Sequence, residues 1–299
     1  MSAVMLTGVF APLPTPFDEK DSVDLKRLRA ALVHWLATPL HGFVLLGTSG
    51  EAGLLDDSES DEVIDVARGL VPSSRPLIAG TGRESTQASV RASKRAAELG
   101  ADAVLVRTPS FFKSRMTGDA LFSHYCAVAE ASPVPVVLYN FSAATGVNLT
   151  PDTVGRLAEH PNVIGIKESG SDIARISDLV ALTSSRFRVL AGSGSTFHAA
   201  LCTGVSGGIL ALAALLPDAC VRLFDLAVEN RHEQARVLQR RLLPVARLIA
   251  TEYGVPGLKA ALKIVGCDVG QPRPPLAPVS DAALGILRQA LSRLEEVSA

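Results

Sequence analysis

The chain has 299 residues, with 29 Lys and Arg against 30 Asp and Glu and a net charge of −1. That balance excludes nucleic-acid or membrane-surface binding driven by bulk charge and leaves small molecules as the expected partners. Apolar residues make up 47% and mean hydropathy is +0.28, yet the longest plain apolar run, ILALAALL, stops at Pro217, well short of the roughly 18 residues a membrane span needs. Cys126, Cys202, Cys220 and Cys267 are widely spaced, with no C-x-x-C pair and no histidine expected at ligand spacing beside them. They read as reduced thiols. The N-terminal MSAVMLTGVFAPLPTPF lacks a basic start followed by a long apolar stretch, so no secretory signal is expected and the chain is read as cytoplasmic. On that reading the sequon at Asn148 is idle.

In chain order, short β-rich runs alternate with longer amphipathic ones. GVFAPLPTPF precedes DLKRLRAALVHWLATP, GFVLLG precedes SESDEVIDVARGLV, and RPLIAGTG precedes TQASVRASKRAAELG. The alternation continues through ADAVLVRTP, VPVVLYNF, NVIGIKES, FRVLAGSG and GGILAL, each followed by a helical pattern. The strands are nearly continuous apolar runs, as parallel strands covered on both faces require. About eight such units predict an α/β (β/α)₈ barrel, the TIM barrel, over residues 1–230. An open doubly wound sheet is disfavoured because no G-x-G-x-x-G follows the first strand and no G-x-x-x-x-G-K-[ST] occurs. Beyond residue 230 three helical segments, HEQARVLQRRLLPVARLIATEY, GLKAALKIVG and SDAALGILRQALSRLEEV, predict a C-terminal helical subdomain over 231–299, its last two members separated by QPRPPLAP.

Barrel active sites lie at the carboxyl ends of the strands. The second strand leads into GTSGE, Gly47 to Glu51, the fifth into YNFSAATG, Tyr139 to Gly146, and the sixth ends at Lys167. Of seven lysines only Lys167 falls in a predicted strand; the others read as loop or helix residues. By strand alternation Gly165 and Lys167 share one face, where the glycine leaves space, and Ile164 and Ile166 share the other. A buried lysine is either paired, here with Glu51 or Glu168, or used as a nucleophile toward a carbonyl, with counter-charge to a bound anion as a third reading. Tyr139 shares parity with Val137, which places its hydroxyl over the barrel mouth as a proton carrier or simply as a half-buried aromatic. Thr48 and Ser49, flanked by glycines, fit either a carboxylate site or a helix cap. Arg83, Arg107 and Arg115 lie near the same mouth. Arg107 either clamps a distal carboxylate, as Arg115 also could, or pairs with a helix carboxylate on the outside.

Together PLPTPF, GTSGE, GADAVLVRTPSFF, PVPVVLYNFSAATG, NVIGIKESGSD, VLAGSG and YGVPGLKAALKIVG resemble, over essentially the whole chain, the pyruvate-dependent class I aldolase and lyase superfamily that includes dihydrodipicolinate synthase and N-acetylneuraminate lyase. AGTGRESTQASV, SRMTGDALFSHY, VLAGSGSTFHAAL and PRPPLAPVS look most like its 4-hydroxy-2-oxoglutarate aldolase branch. The resemblance implies a Schiff base on Lys167, proton relay by Tyr139, binding of the pyruvyl carboxylate by Thr48 and Ser49 beside Gly47, and Gly192 and Ile209 at the same pocket. It also implies no metal or organic cofactor and a homo-oligomer, tetramer or dimer. Ser142 stands where the family pattern has proline, Ala144 where the synthases have the arginine that binds the second substrate, and Phe111 and Phe112 where they have paired tyrosines.

The expected activity is therefore a lyase that cleaves a 4-hydroxy-2-oxo acid into pyruvate and an aldehyde such as glyoxylate. The alternatives are a dihydrodipicolinate synthase-like condensation, a sugar-acid aldolase or dehydratase, and, from a different class, a catalytically silent ligand-binding or regulatory barrel. The expected partner is a small 2-oxo acid, with no nucleic acid and no membrane.

Overall fold

The computed structural model describes residues 4–184 and 186–295. The sequence-based readings of residues 1–3 and 296–299, including the tail of the last helical segment, lie outside them.

Eight parallel strands close into a barrel in sequence order. These are β1 Gly8–Pro12, β2 Gly42–Leu45, β3 Leu77–Gly80, β4 Ala103–Arg107, β5 Val136–Asn140, β6 Val163–Glu168, β7 Arg188–Ala191 and β8 Gly207–Ile209. The register Phe10↔Ile209 joins the last strand to the first. Helices α1 Leu25–Leu36, α2 Asp57–Arg68, α3 Thr86–Glu98, α4 Gly118–Ala131, the one-turn α5 Ser142–Thr145, α6 Pro151–Ala158, α7 Ile173–Leu182, α8 Phe197–Cys202, α9 Ala211–Leu215 and α10 Pro217–Val228 fill the connections and surround the barrel. Helices α11 His232–Arg247, α12 Gly254–Ile264 and α13 Asp281–Glu295 follow. The predicted TIM barrel with C-terminal helices is the observed fold.

The starts of these helices follow from their sequence. Asp24, Ser85, Thr117, Thr150 and Asp172 each accept the backbone N–H of the third residue of α1, α3, α4, α6 and α7. Asp56 and Glu59 form a reciprocal capping box at α2.

Alternation along the strands sorts the core into two layers. Val9, Phe43, Leu77, Val104, Leu138 and Val189 pack outward against the helices. Phe10, Val44, Ile78, Leu105, Val137, Tyr139, Leu190 and Ile209 fill the barrel interior. The expected parity fails at one point. The β5–β6 register steps from Val136↔Val163 to Val137↔Gly165, so Ile164 is an extra residue in β6. Ile164 packs against the interior cluster while Ile166 belongs to the outer one, and the two isoleucines do not share a face. Past the bulge the ladder is regular and sets Tyr139 opposite Lys167.

Candidate active site

Lys167 is the penultimate residue of β6, with 4% exposure, and its Nζ lies 4.2 Å from the centroid of the Tyr139 ring on the neighbouring strand. The Tyr139 hydroxyl is 3.0 Å from Thr48 Oγ1, which ties the end of β5 to the turn after β2. Phe141 stacks on the Tyr139 ring with centroids 6.2 Å apart.

The carboxylates that the pairing alternative named for Lys167, Glu51 and Glu168, are engaged elsewhere. Glu168 accepts from Arg175 Nε at 2.9 Å, Asn140 Nδ2 at 2.8 Å and the Gly170 N–H at 2.8 Å. Glu51 Oε1 lies 2.6 Å from Lys259 Nζ. Among the described residues, no carboxylate lies within ion-pair distance of Lys167. The role foreseen for Gly165 also changes. A Cβ there would come 2.4 Å from the Arg188 carbonyl oxygen and 3.2 Å from Leu6, so the glycine admits β7 and the barrel floor rather than making room for the lysine.

Above this group opens a cavity of about 550 Å³, within the range of small-molecule sites. One wall carries Gly47, Thr48 and Glu51, another Arg107 and Ser110, a third Tyr139, Phe141 and Ala144, and the last Tyr253, Val255 and Leu276 from the C-terminal segment. Lys167, Ser49, Gly192 and Ile209 do not line it. Lys167 is buried with its Nζ against the ring of Tyr139, which does line it, Ser49 is buried in the turn beside Thr48, and Ile209 is interior core. Gly192 lets β7 approach β6, since a Cβ there would meet Ser169 Oγ at 2.1 Å.

The helix-cap reading of the GTSGE turn does not hold. The 3₁₀ turn Ala52–Leu54 that follows has no side-chain cap, and Asp56 caps α2. Among the described residues the backbone N–H groups of Thr48 and Ser49 donate to no other group, which leaves two consecutive donors in the turn, that of Thr48 on a residue of the cavity wall and that of Ser49 next to it.

Arg107 lines the cavity instead of facing the outer helices, but its charge is already engaged. Its Nη1 donates to Glu84 Oε1 at 2.8 Å and to the Thr108 carbonyl at 3.1 Å. Glu84 also accepts from the Ser110 and Phe111 N–H groups, each at 2.8 Å, so it pins the loop after β4. Burial would raise the Glu84 carboxyl, but these N–H donors and Arg107 outweigh it and draw the group down to about 2. Arg115 is exposed on the turn Lys113–Arg115 and does not line the cavity, so of the two distal candidates only Arg107 is placed to meet a ligand. Arg83 pairs with Asp57 at 3.0 Å, also away from the cavity. Phe111 and Phe112 are 79% and 68% exposed and pack edge to face, with centroids 5.0 Å apart.

Sequence reasoning missed the support behind the Glu51 wall. Lys259, 1% exposed, donates to the Thr15 carbonyl at 2.7 Å and the Gln271 carbonyl at 3.0 Å while pairing with Glu51. Burial lowers its pKa against the opposing pull of Glu51. The Arg273 N–H donates to Glu51 Oε2 at 2.9 Å, and the Arg273 guanidinium holds Glu59 and lies 4.2 Å from the Phe17 ring centroid. Glu51 itself adopts a left-handed backbone, with φ 55°. The available signal was that GTSGE and YGVPGLKAALKIVG both carry the family resemblance, and Glu51 of the first meets Lys259 of the second in space.

Residues 5–294 match the model of the dihydrodipicolinate synthetase family. The chain belongs to that family. It is 36% identical over 293 residues to the 4-hydroxy-tetrahydrodipicolinate synthase of Exiguobacterium sp., covering 98% of this chain and 99% of that one. It is 38% identical over 278 residues to the synthase of the same name from Xanthomonas axonopodis pv. citri, covering 93% and 91%. The fold matches dihydrodipicolinate synthase from Thermotoga maritima with a TM-score of 0.93 at 31% identity, covering 98% and 99% of the two chains. The chloride-inhibited, pyruvate-complexed enzyme from Acinetobacter baumannii matches equally well, with a TM-score of 0.93 at 31% identity over 97% and 99%.

Membership makes the protein a pyruvate-dependent carbon–carbon lyase or synthase of the Schiff-base class, acting on small molecules. These relatives are named as synthases, so they favour the condensation that the sequence analysis set second over the cleavage it set first, and they do not single out the 4-hydroxy-2-oxoglutarate branch. They lend nothing to a silent barrel. Among the described residues no helix is long and apolar enough to cross a membrane.

Proposed function

We propose that Lys167 forms a Schiff base with pyruvate and that the enzyme joins the resulting enamine to an aldehyde, in the manner of the 4-hydroxy-tetrahydrodipicolinate synthases it resembles. The observation that carries this reading is the constellation itself: a buried lysine with no carboxylate partner among the described residues, Tyr139 opposite it, and Thr48 on the Tyr139 hydroxyl at the foot of the cavity.

Lys167 Nζ attacks C2 of pyruvate, water leaves, and an iminium forms. The iminium draws electrons from C3, which gives a proton to the Tyr139 oxygen, itself deprotonated when it protonated the departing water, and becomes the enamine carbon. That carbon attacks the aldehyde carbonyl, and the new alkoxide takes a proton through Tyr139 and Thr48. Hydrolysis of the iminium frees the product and restores Lys167. The consecutive N–H groups of Thr48 and Ser49 receive the pyruvyl carboxylate, with the Thr48 hydroxyl beside them.

A specific observation favours a second reading, cleavage of a 4-hydroxy-2-oxo acid by the same steps in reverse. Ala144 lines the cavity where a synthase-type arginine is expected, and the nearby cation, Arg107, is held by Glu84. Parallel steady-state assays separate the two. Condensation of pyruvate with aspartate semialdehyde at a kcat/KM well above that for cleavage of 4-hydroxy-2-oxoglutarate supports the first reading; the reverse ranking replaces it with the second.

A further inference from the structure

Outside the cavity, three metal-ligating side chains converge where the barrel meets the C-terminal helices. His198 and Cys202 lie four residues apart on α8, one turn above each other on the same face. His232 opens α11. His198 Nε2 is 3.4 Å from His232 Nδ1, and Cys202 Sγ is 3.7 Å from His198 Nε2 and 3.9 Å from His232 Nδ1. No histidine was expected at ligand spacing beside a cysteine; the i, i+4 pair His198 and Cys202 on α8 corrects that expectation, and the third member is visible only in the fold.

The spacing is that of a metal triangle rather than a packed cluster. Tetrahedral zinc, with Zn–N near 2.05 Å and Zn–S near 2.3 Å, sets its ligand atoms about 3.3 Å apart for N–N and about 3.6 Å for N–S. The three observed separations exceed these by a few tenths of an ångström or less. A second feature holds the two helices in register. Gln239, two turns beyond His232 on the same face of α11, accepts the His198 backbone N–H at 2.9 Å and donates to the Gly194 carbonyl at 2.9 Å. The triangle is thus built on helices already bolted together.

We propose that His198, Cys202 and His232 bind a zinc-class divalent ion that clips α8 to α11, with water at the fourth position. One thiolate and two imidazoles select a borderline-soft metal over magnesium or calcium, which take oxygen ligands. None of the three residues lines the barrel-mouth cavity, so the site stabilises the junction and stands apart from the pyruvate chemistry.

The test uses the full chain, stripped by chelator and titrated with Zn(II) against a chromophoric competitor and, separately, with Co(II). Wild type is expected to bind one equivalent, to gain Tm with Zn(II), and to show the near-ultraviolet thiolate-to-cobalt absorption. Cys202→Ser and His232→Ala are expected to keep the metal-free Tm, since both side chains are exposed. Each should weaken Zn(II) by more than the about 10–100-fold that loss of an outer-shell partner costs. Cys202→Ser should also lose the cobalt band. Absence of stoichiometric binding by wild type would overturn the proposal, as would an equivalent that both variants retain. Pyruvate trapping at Lys167 is expected to be the same with and without metal, so failure here and failure of the proposed chemistry are read separately.

Discussion

Tyr139 shows most clearly how much rests on single atoms. Its ring faces Lys167 and its hydroxyl meets Thr48, so removing one oxygen leaves the packing of the barrel interior intact while breaking the proposed proton path. Tyr139→Phe is expected to lower kcat by about 10²–10⁴-fold with unchanged thermal unfolding. A variant within about threefold of wild type would remove the relay. Arg107 is the corresponding residue for the far end of the substrate. Arg107→Ala leaves Glu84 its Ser110 and Phe111 N–H donors, so the loop keeps its anchor. If Arg107 meets a distal carboxylate, kcat/KM for a carboxylate-bearing substrate should fall roughly 10- to 150-fold, chiefly through KM, with pyruvate trapping unaffected. Normal kinetics would leave that end of the substrate without a cation at this position. His124 supplies a pH signature. Burial lowers its pKa from 6.5 to about 4, so the unfolded chain binds a proton that the folded one rejects, and stability falls as pH drops from 6.5 toward 4. The contribution is on the order of 3 kcal/mol at most. His124→Gln should flatten urea midpoints across that window, and an unchanged slope would contradict the assignment.

Between elements, the decisive contact is the Glu51–Lys259 pair, which joins the turn after β2 to α12. Both partners are nearly excluded from solvent, at 4% and 1% exposure. Removing one strands the other, so Lys259→Met is expected to cost about 3–5 kcal/mol in urea unfolding. The double variant Glu51→Leu, Lys259→Met should cost less than the sum of the two singles, and additivity would argue against a direct pair. These same elements show what the sequence made legible. The eight strands read out because parallel strands buried on both faces leave continuous apolar runs, and Lys167 stood out as a charge in one of them. The bulge at Ile164 was not legible, because one extra residue in a ladder is set by the neighbouring strand and leaves no local mark. Nor was Lys259, since a lysine inside an amphipathic helix looks like any solvated one until the fold brings Glu51 against it. Tyr139 was legible as a tyrosine at a strand end and Thr48 as a hydroxyl in a turn, but not as partners; their 3.0 Å contact depends on barrel closure.

For the whole molecule, the barrel supplies the floor and three walls of the cavity, while Tyr253, Val255 and Leu276 supply the fourth. We propose on this ground that residues 231–299 act as a C-terminal subdomain that shapes the substrate chamber. One of the solved relatives with this fold is described as a monomeric dihydrodipicolinate synthase variant, matching with a TM-score of 0.91 at 31% identity, so family membership does not by itself fix the assembly. We propose a homo-oligomer in this protein, and sedimentation velocity is the measurement that decides it. The account as a whole stands on one covalent bond. Borohydride reduction of the full-length chain in the presence of pyruvate, followed by peptide mapping, is expected to place a single pyruvate adduct on Lys167 and none on Lys167→Arg, whose guanidinium cannot form the imine. An adduct on Lys259 or Lys263 instead, or none on a folded wild-type protein, would contradict it.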